Sequence, residues 1–285
     1  MQSGKLNYQL LDFGNGSKLE RFGDKVMIRP EILAVGQPKL PESEWNRMAT
    51  LRFIETEQMR GFWQTSQQEA NNWECVYHCP PFHLKLQLRK GINKHVGLFP
   101  EQEKHWNFLA GKLQKNDRFL NLFAYTGASS LVAASAGADV YHVDSARSVI
   151  NWAAGNAQIN DISSIHWVCE DALKFTEREN KRKHKYHGII MDPPIFGKGS
   201  GGENRKLNDM LNQLISNAGK LLHPGGFLIL NTYSPTVDIK TMREICIKNR
   251  LEHNDSGWLS VNTPDGRALE LSKYVVASAS KLTGQ

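Results

Sequence analysis

At 285 residues, with 40% hydrophobic and 22% charged side chains, the chain can bury one large core and a smaller one. Its formal net charge of +6 favours an anionic partner, nucleic acid first, and carries no information about fold. No apolar run approaches membrane-spanning length, the opening MQSGKLNYQLLDFGNG lacks a signal-peptide core, and four cysteines in such a chain suit reduced thiols. A cytoplasmic protein without a membrane partner is expected.

The first elements are short. In YQLLDFGNGSKLERFGDKVMIRP (8–30), apolar alternation is broken at Asn15-Gly16 and Gly23-Asp24, both turn-forming pairs. WECVYH (73–78) and HLKLQL (83–88) alternate in the same way. A small β-rich domain over 1–95 follows, with a Pro-rich stretch at 38–41 and an unassigned segment at 42–72. Cys75, His78, Cys79 and His83 fall close together in CVYHCPPFH. The usual paired-ligand spacing is missing, and on a strand Cys75 and Tyr77 point away from His78, so no metal site is assigned.

From residue 118 the pattern changes to alternating strands and helices. Strands are predicted at 118–123, 139–144, 165–170, 186–192 and 227–233, with helices at 127–136, 145–159, 171–182 and 205–222. This rhythm builds a parallel sheet covered on both faces. HPGGF (223–227) reads as a helix end and a turn into the next strand, and VNTPDGR (261–267) as the turn of a closing hairpin.

Ligands of such sheets sit beyond the carboxyl ends of the strands, so those ends carry the chemistry. The first runs from Asn121 through the loop Phe123–Gly127 into a helix, where one glycine and small residues let backbone N–H groups approach a ligand. The second ends in Asp144, able to accept both hydroxyls of a ribose or to cap the following helix. The third leads to Asp171, with the same two alternatives towards an adenine amino group. The fourth stops at Asp192-Pro193-Pro194, because proline cannot donate to a sheet ladder. Acids at three successive strand ends point jointly to an adenosine-bearing ligand. A dinucleotide site would show G-x-G-x-x-G after the first strand, where this chain has FAYTGASS, which argues for S-adenosylmethionine, a ligand with no phosphate to cradle.

NLFAYTG, DVYHVDSA, EDALKF and MDPPIFGKG, together with the upstream KHVGLFPEQEKHW (94–106), resemble the motifs of class I S-adenosylmethionine-dependent methyltransferases. More narrowly they are similar to bacterial 23S ribosomal RNA enzymes, the group that methylates cytosine C5 or guanine N7 of the large subunit. The resemblance implies an α/β, Rossmann-like methyltransferase domain over 96–285, with a seven-stranded, mostly parallel sheet whose last strand is antiparallel, behind the small β-rich domain. It implies cofactor contacts at Tyr125, Thr126, Gly127 and Ala128 for the methionine moiety, at Asp144 for the ribose and at Asp171 for the adenine, with Ser145 and Ala172 also at the cofactor. Leu98, Phe99, Pro100 and Gln102 would close over the other side, and Asp192 borders cofactor and substrate alike. It implies no metal.

DPPIF resembles the [DN]PP[FY] motif of enzymes that methylate planar nitrogens. The physics runs the same way. Asp192 and the Pro193 carbonyl can accept a base's N–H groups, Pro193 and Pro194 hold that geometry at little entropic cost, and Phe196 offers a ring for stacking. Carbon-5 methylation needs a cysteine thiolate, and none follows the fourth or fifth strand, so a base nitrogen of RNA, with 23S ribosomal RNA first, is the expected target. A protein glutamine or a small molecule is an alternative acceptor, and a non-catalytic RNA-binding or assembly protein an alternative class. Asn231 and Tyr233 could touch base or cofactor, or simply end a strand. GKGSGGENRK (197–206) reads as a loop that orders on substrate, and the cations from Lys174 to Lys185 as a solvated helix end or an RNA phosphate track.

Overall fold

The structure, a computed structural model, describes residues 4–57, 60–65, 70–194, 196–198 and 204–280. The chain packs as two units: Met1–Lys104 with Ser260–Leu271, and His105–Leu259 with Ser272–Gln285. The boundary read from sequence at 95/96 is continuous, whereas packing assigns the tip of the closing hairpin to the first unit. There Val261, Leu269 and Leu271 share a core with Leu10, Phe13 and Ala34.

Among its described residues the first unit contains β1 (Lys5–Leu6), β2 (Tyr8–Gly14), β3 (Ser17–Phe22), β4 (Lys25–Pro30), α1 (Glu42–Met48), β5 (Leu51–Glu57), β6 (Arg60–Thr65), β7 (Asn72–Cys79) and β8 (Phe82–Arg89). Asn15 and Gly16 both take positive φ, 51° and 73°, as a two-residue hairpin turn requires. The strands form a sheet in the order β2-β3-β4-β5-β6 and a second in the order β1-β7-β8. The unassigned segment 42–72 contains α1, β5 and β6. α1 is the crossover between β4 and β5, which pair in parallel, and its Trp45 packs on Leu19, Val26 and Ile28. Cys75 and Tyr77 are buried on one face of β7 while His78 points outward to meet His83 across the hairpin, Nδ1 to Nδ1 at 3.0 Å.

α2 (Glu103–Lys112) leads into the second unit. It is followed by β9 (Arg118–Leu122), α3 (Ala128–Ser135), β10 (Asp139–Asp144), α4 (Arg147–Gln158), β11 (Ile165–Cys169), α5 (Ala172–Lys181), β12 (Tyr186–Met191), β13 (Phe196–Lys198), β14 (Asn204–Lys206), α6 (Leu207–Leu221), β15 (Leu222–Thr232), α7 (Ile239–Lys248), β16 (Leu251–Asn262) and β17 (Ala268–Ala279). Seven strands form one sheet in the order β11-β10-β9-β12-β15-β17-β16. β9 to β12 and β15 pair in parallel, and β17 runs antiparallel to β15, as expected. One sheet face is sealed by a core that includes Leu120, Leu122, Met191 and Leu230 with Leu214 and Ile215 of α6. Chain order reverses between β9 and β12, so their carboxyl ends flank the crevice where such folds take their ligands.

HPGG belongs to β15 rather than to a plain turn. Leu222 pairs with Tyr186, and pairing then resumes at Phe227 with Gly188, so residues 223–226 bulge out between them. Gly188 makes this register possible: a Cβ there would meet the Phe227 ring at 2.3 Å.

Candidate active site

The loop leaving β9 is wound tightly. Phe123 (φ 56°) ends the strand, and the Ala124 N–H reaches the Val143 carbonyl of β10 at 3.1 Å. Tyr125 also takes a left-handed conformation (φ 50°), with its N–H on Asp144 Oδ2 at 3.0 Å. The Thr126 carbonyl accepts from Asn156 Nδ2 of α4 at 3.0 Å. Gly127 (φ 91°) caps α3, and its N–H returns to the Ala124 carbonyl at 3.2 Å. A Cβ on Gly127 would approach Ala153 Cβ to 3.1 Å, so both conformation and space call for glycine. Ala128 then opens the helix.

Asp144 ends β10. Besides Tyr125 it accepts the Ala146 N–H on Oδ1 at 3.0 Å, while the cap of α4 is Ala146 itself. Of the two readings of this aspartate, helix cap is therefore not the one observed. Its carboxylate joins the β9 loop to the start of α4, and each oxygen has a further lone pair for a ligand hydroxyl. Ser145 follows, its carbonyl facing the Cys169 thiol at 3.7 Å. Asp171 does cap α5, with Oδ1 accepting the Lys174 N–H at 3.1 Å. Ala172 is buried in the adjoining core.

β12 stops at Met191. Asp192 is half-buried, Pro193 buried and Pro194 exposed. Since Met191 is in register with Leu230, Asp192 and Asn231 follow at the ends of neighbouring strands. Ile195 and the Phe196 side chain lie outside the described residues, as does 199–203 of the glycine-rich segment. The backbones of β13 and β14 on either side pair as Phe196↔Lys206, Gly197↔Arg205 and Lys198↔Asn204. Asn231 is fully buried, and its Oδ1 lies 2.8 Å from His105 Nε2 of α2. Tyr233 is half-buried beyond the strand. Leu98, Phe99, Pro100 and Gln102 belong to the first unit, where Leu98, Pro100 and Gln102 are buried and the Phe99 ring meets that of His95 at a tilt, centroids 5.1 Å apart.

Behind the β9 loop lies a polar cluster that sequence reasoning passed over. Asn121 Nδ2 donates to Ser130 Oγ at 2.9 Å, and Ser130 Oγ lies 3.0 Å from His142 Nδ1. Burial drives the His142 pKa down to about 3, against a smaller opposing influence from the Tyr125 backbone, so the ring is neutral. The available signal was a polar residue at an inward strand position in both RFLNLF and DVYHVD. None of the four cysteines occupies a nucleophile's place: Cys75, Cys79 and Cys246 are buried, and Cys169 ends β11. Burial lifts the thiols of Cys75 and Cys246 to about 12.

The donor set fits a nucleoside without phosphate. Backbone N–H groups at a helix start and a carboxylate beside them suit a zwitterionic tail and a ribose diol, and the loop after β9 carries one glycine rather than a G-x-G-x-x-G pyrophosphate cradle.

A family profile described as S-adenosylmethionine-dependent methyltransferase matches residues 59–251. A crystal structure of a SAM-dependent methyltransferase from Agrobacterium tumefaciens is 33% identical, with a TM-score of 0.87, covering 95% of this chain and 90% of that one. The ribosomal RNA large subunit methyltransferase K/L of Syntrophotalea carbinolica is 33% identical over 160 residues, covering 54% of this chain and 22% of its own length. Its namesake from Shewanella loihica is 27% identical over 221 residues, covering 74% of this chain and 28% of its own. The chain thus matches only about a quarter of the length of these curated relatives.

Proposed function

The chain belongs to the family of S-adenosylmethionine-dependent methyltransferases, and we propose that it methylates a base nitrogen of RNA, with 23S ribosomal RNA as the substrate. One observation carries this reading. The Asp192-Pro193-Pro194 turn leaves β12 directly beside the loop that leaves β9, at the point where the sheet reverses its order.

When bound, S-adenosylmethionine supplies an electrophilic methyl group on its sulfonium. The chain's own residues do the positioning. Tyr125, Thr126, Gly127 and Ala128 offer backbone groups to the methionine end, Asp144 and Ser145 take the ribose, and Asp171 and Ala172 border the adenine. Asp192 and the Pro193 carbonyl accept the N–H groups of the target base and aim its lone pair at the methyl carbon, while Pro194 stiffens the turn and Phe196 stacks on the base. Asp192 also serves as the acceptor for the proton that the nitrogen releases.

Nitrogen is favoured over carbon because a thiolate would have to add to the pyrimidine ring, and Cys169 and Cys246 are on β11 and α7 rather than after β12 or β15. The relatives named for ribosomal RNA and the net charge of +6 support RNA as the acceptor. A ribosomal substrate goes with action in the cytoplasm.

The test compares modified nucleosides of 23S ribosomal RNA from deletion and parent cells by mass spectrometry. Loss of one methylated nucleoside, restored in vitro by the purified protein with S-adenosylmethionine, is expected. Asp192→Ala should abolish that restoration yet keep the cofactor Kd within about threefold, since positioning of the acceptor is its role. An unchanged nucleoside profile would move the acceptor to a protein glutamine or a small molecule.

A further inference from the structure

We propose that Asn121, Ser130 and His142 form a buried relay that fixes the peptide of Tyr125, making His142 a positioning residue for the cofactor loop. The inference rests on the cofactor reading given above.

In the relay the protons run from Asn121 through Ser130 to His142. The Asn121 amide nitrogen is a donor only, so Ser130 Oγ accepts from it at 2.9 Å. The single proton of the Ser130 hydroxyl is then free to point at His142 Nδ1, 3.0 Å away. Nδ1 must be bare to accept it. The ring is neutral and carries one proton, which the relay places on Nε2. That Nε2 is buried, and among the described residues it has no hydrogen-bond partner of good geometry. The loop lies against the ring, since a Cβ on Gly127 would sit 3.5 Å from His142 Cε1, and the Tyr125 backbone is the group whose hydrogen bonding opposes the fall in the ring's pKa. In the proposed relay this Nε2–H is the donor that serves the Tyr125 carbonyl.

Around this donor the loop is held at each neighbouring peptide. Asp144 takes the Tyr125 N–H at 3.0 Å, and Asn156 gives to the Thr126 carbonyl at 3.0 Å. Tyr125 itself sits at φ 50°, a conformation that a residue with a Cβ holds only when its surroundings impose it. Trp167 packs edge-on against His142 with centroids 4.8 Å apart, which fixes the ring plane. Loss of the Nε2 donor would free the Tyr125–Thr126 peptide to turn and Tyr125 to leave its left-handed conformation, which would draw the Tyr125 N–H, on the preceding peptide, away from Asp144, the residue assigned to the ribose.

Two measurements test this. Nitrogen-15 NMR of the imidazole in the cofactor-free protein reads the tautomer directly. A bare Nδ1 with a protonated Nε2 is expected, and an Nδ1–H tautomer would overturn the relay. Calorimetric titration with S-adenosylmethionine then compares His142→Gln with His142→Phe. A carboxamide keeps an acceptor and a donor on one carbon, as the imidazole does across Cε1, whereas phenylalanine keeps only the bulk. His142→Phe should raise Kd about tenfold or more and His142→Gln less than about threefold, with kcat at saturating cofactor little changed in either. Equal losses in both variants, in step with a lowered unfolding midpoint, would mean a merely structural histidine and sink the proposal. If the parent protein fails to bind S-adenosylmethionine at all, the cofactor reading falls, and the tautomer alone decides the relay.

Discussion

Asp12 is fully buried in the first unit, yet its carboxylate collects the backbone N–H groups of Phe13, Lys39 and Leu40, the Trp45 indole N–H and the Arg267 guanidinium. Burial alone would push its pKa up. The Arg267 pair and the donors from Leu40, Trp45 and Lys39 outweigh that and hold the pKa below the usual carboxylate range. The sign of the pH effect follows: the stabilisation is full above the unfolded-chain pKa of about 3.9 and drains away as pH falls towards the folded value. Asp12→Ala should cost about 3 kcal/mol in urea unfolding at pH 7, since it strands buried donors and one cation. Asp12→Asn should flatten the pH dependence of stability below pH ~4, and a variant as acid-sensitive as the parent would refute the assignment. Asp12 was not singled out from the sequence, because its partners at 39–45 and 267 are distant along the chain.

Strand β12 presents the candidate turn, and its register depends on one small residue. Gly188 leaves room for the Phe227 ring, which also meets Phe108 of α2 edge-on with centroids 5.2 Å apart. Gly188→Ala should destabilise by about 1–3 kcal/mol, because a buried ring has nowhere to move. Phe227→Leu in the same background should recover part of that loss in a double-mutant cycle, and strict additivity would show that the two sites do not interact. The alternation of strands and helices after residue 118 was legible because each element carries its own period. The bulge at 223–226 was not, since it expresses the fit of two strands rather than the preference of one. α1 escaped for a related reason: seven residues with one buried tryptophan give too short a stretch for a helical period to emerge.

Over the molecule as a whole, the excess of positive charge is only partly available to a partner. In the basic stretch after α5 begins, Arg178 pairs with Glu170, Arg182 with Glu179, and Lys185 donates to the Lys220 carbonyl at 2.6 Å. Lys181 and Lys183 are exposed. The stretch is in large part a helix end satisfied within its own unit. Phosphate contacts still release counterions, so raising salt from about 50 to 200 mM should weaken binding of a 23S ribosomal RNA fragment at least ~10-fold. The Kd for S-adenosylmethionine should shift by less than about twofold, because that site uses hydrogen bonds at short range. Salt-independent RNA binding in a filter or anisotropy assay would argue against a phosphate-led interface. Among the described residues no helix is long and apolar enough to cross a membrane.

Local chemistry already identifies the parallel sheet, the acids at its strand ends, the glycine of the first loop and the Asp-Pro-Pro stop, because each expresses a constraint confined to a few neighbouring residues. Strand alternation, the lack of a proline N–H and the conformational freedom of Gly127 act wherever those residues stand. Which polar groups meet is set by folding: Asn121 beside Ser130 and His142, and Asn231 beside His105, 126 positions away. Those pairings arise from sheet register and helix packing, which sum the preferences of many residues at once. The same sum draws Ser260–Leu271 into the first unit, where its apolar side chains find a core that a hairpin turn alone could not supply.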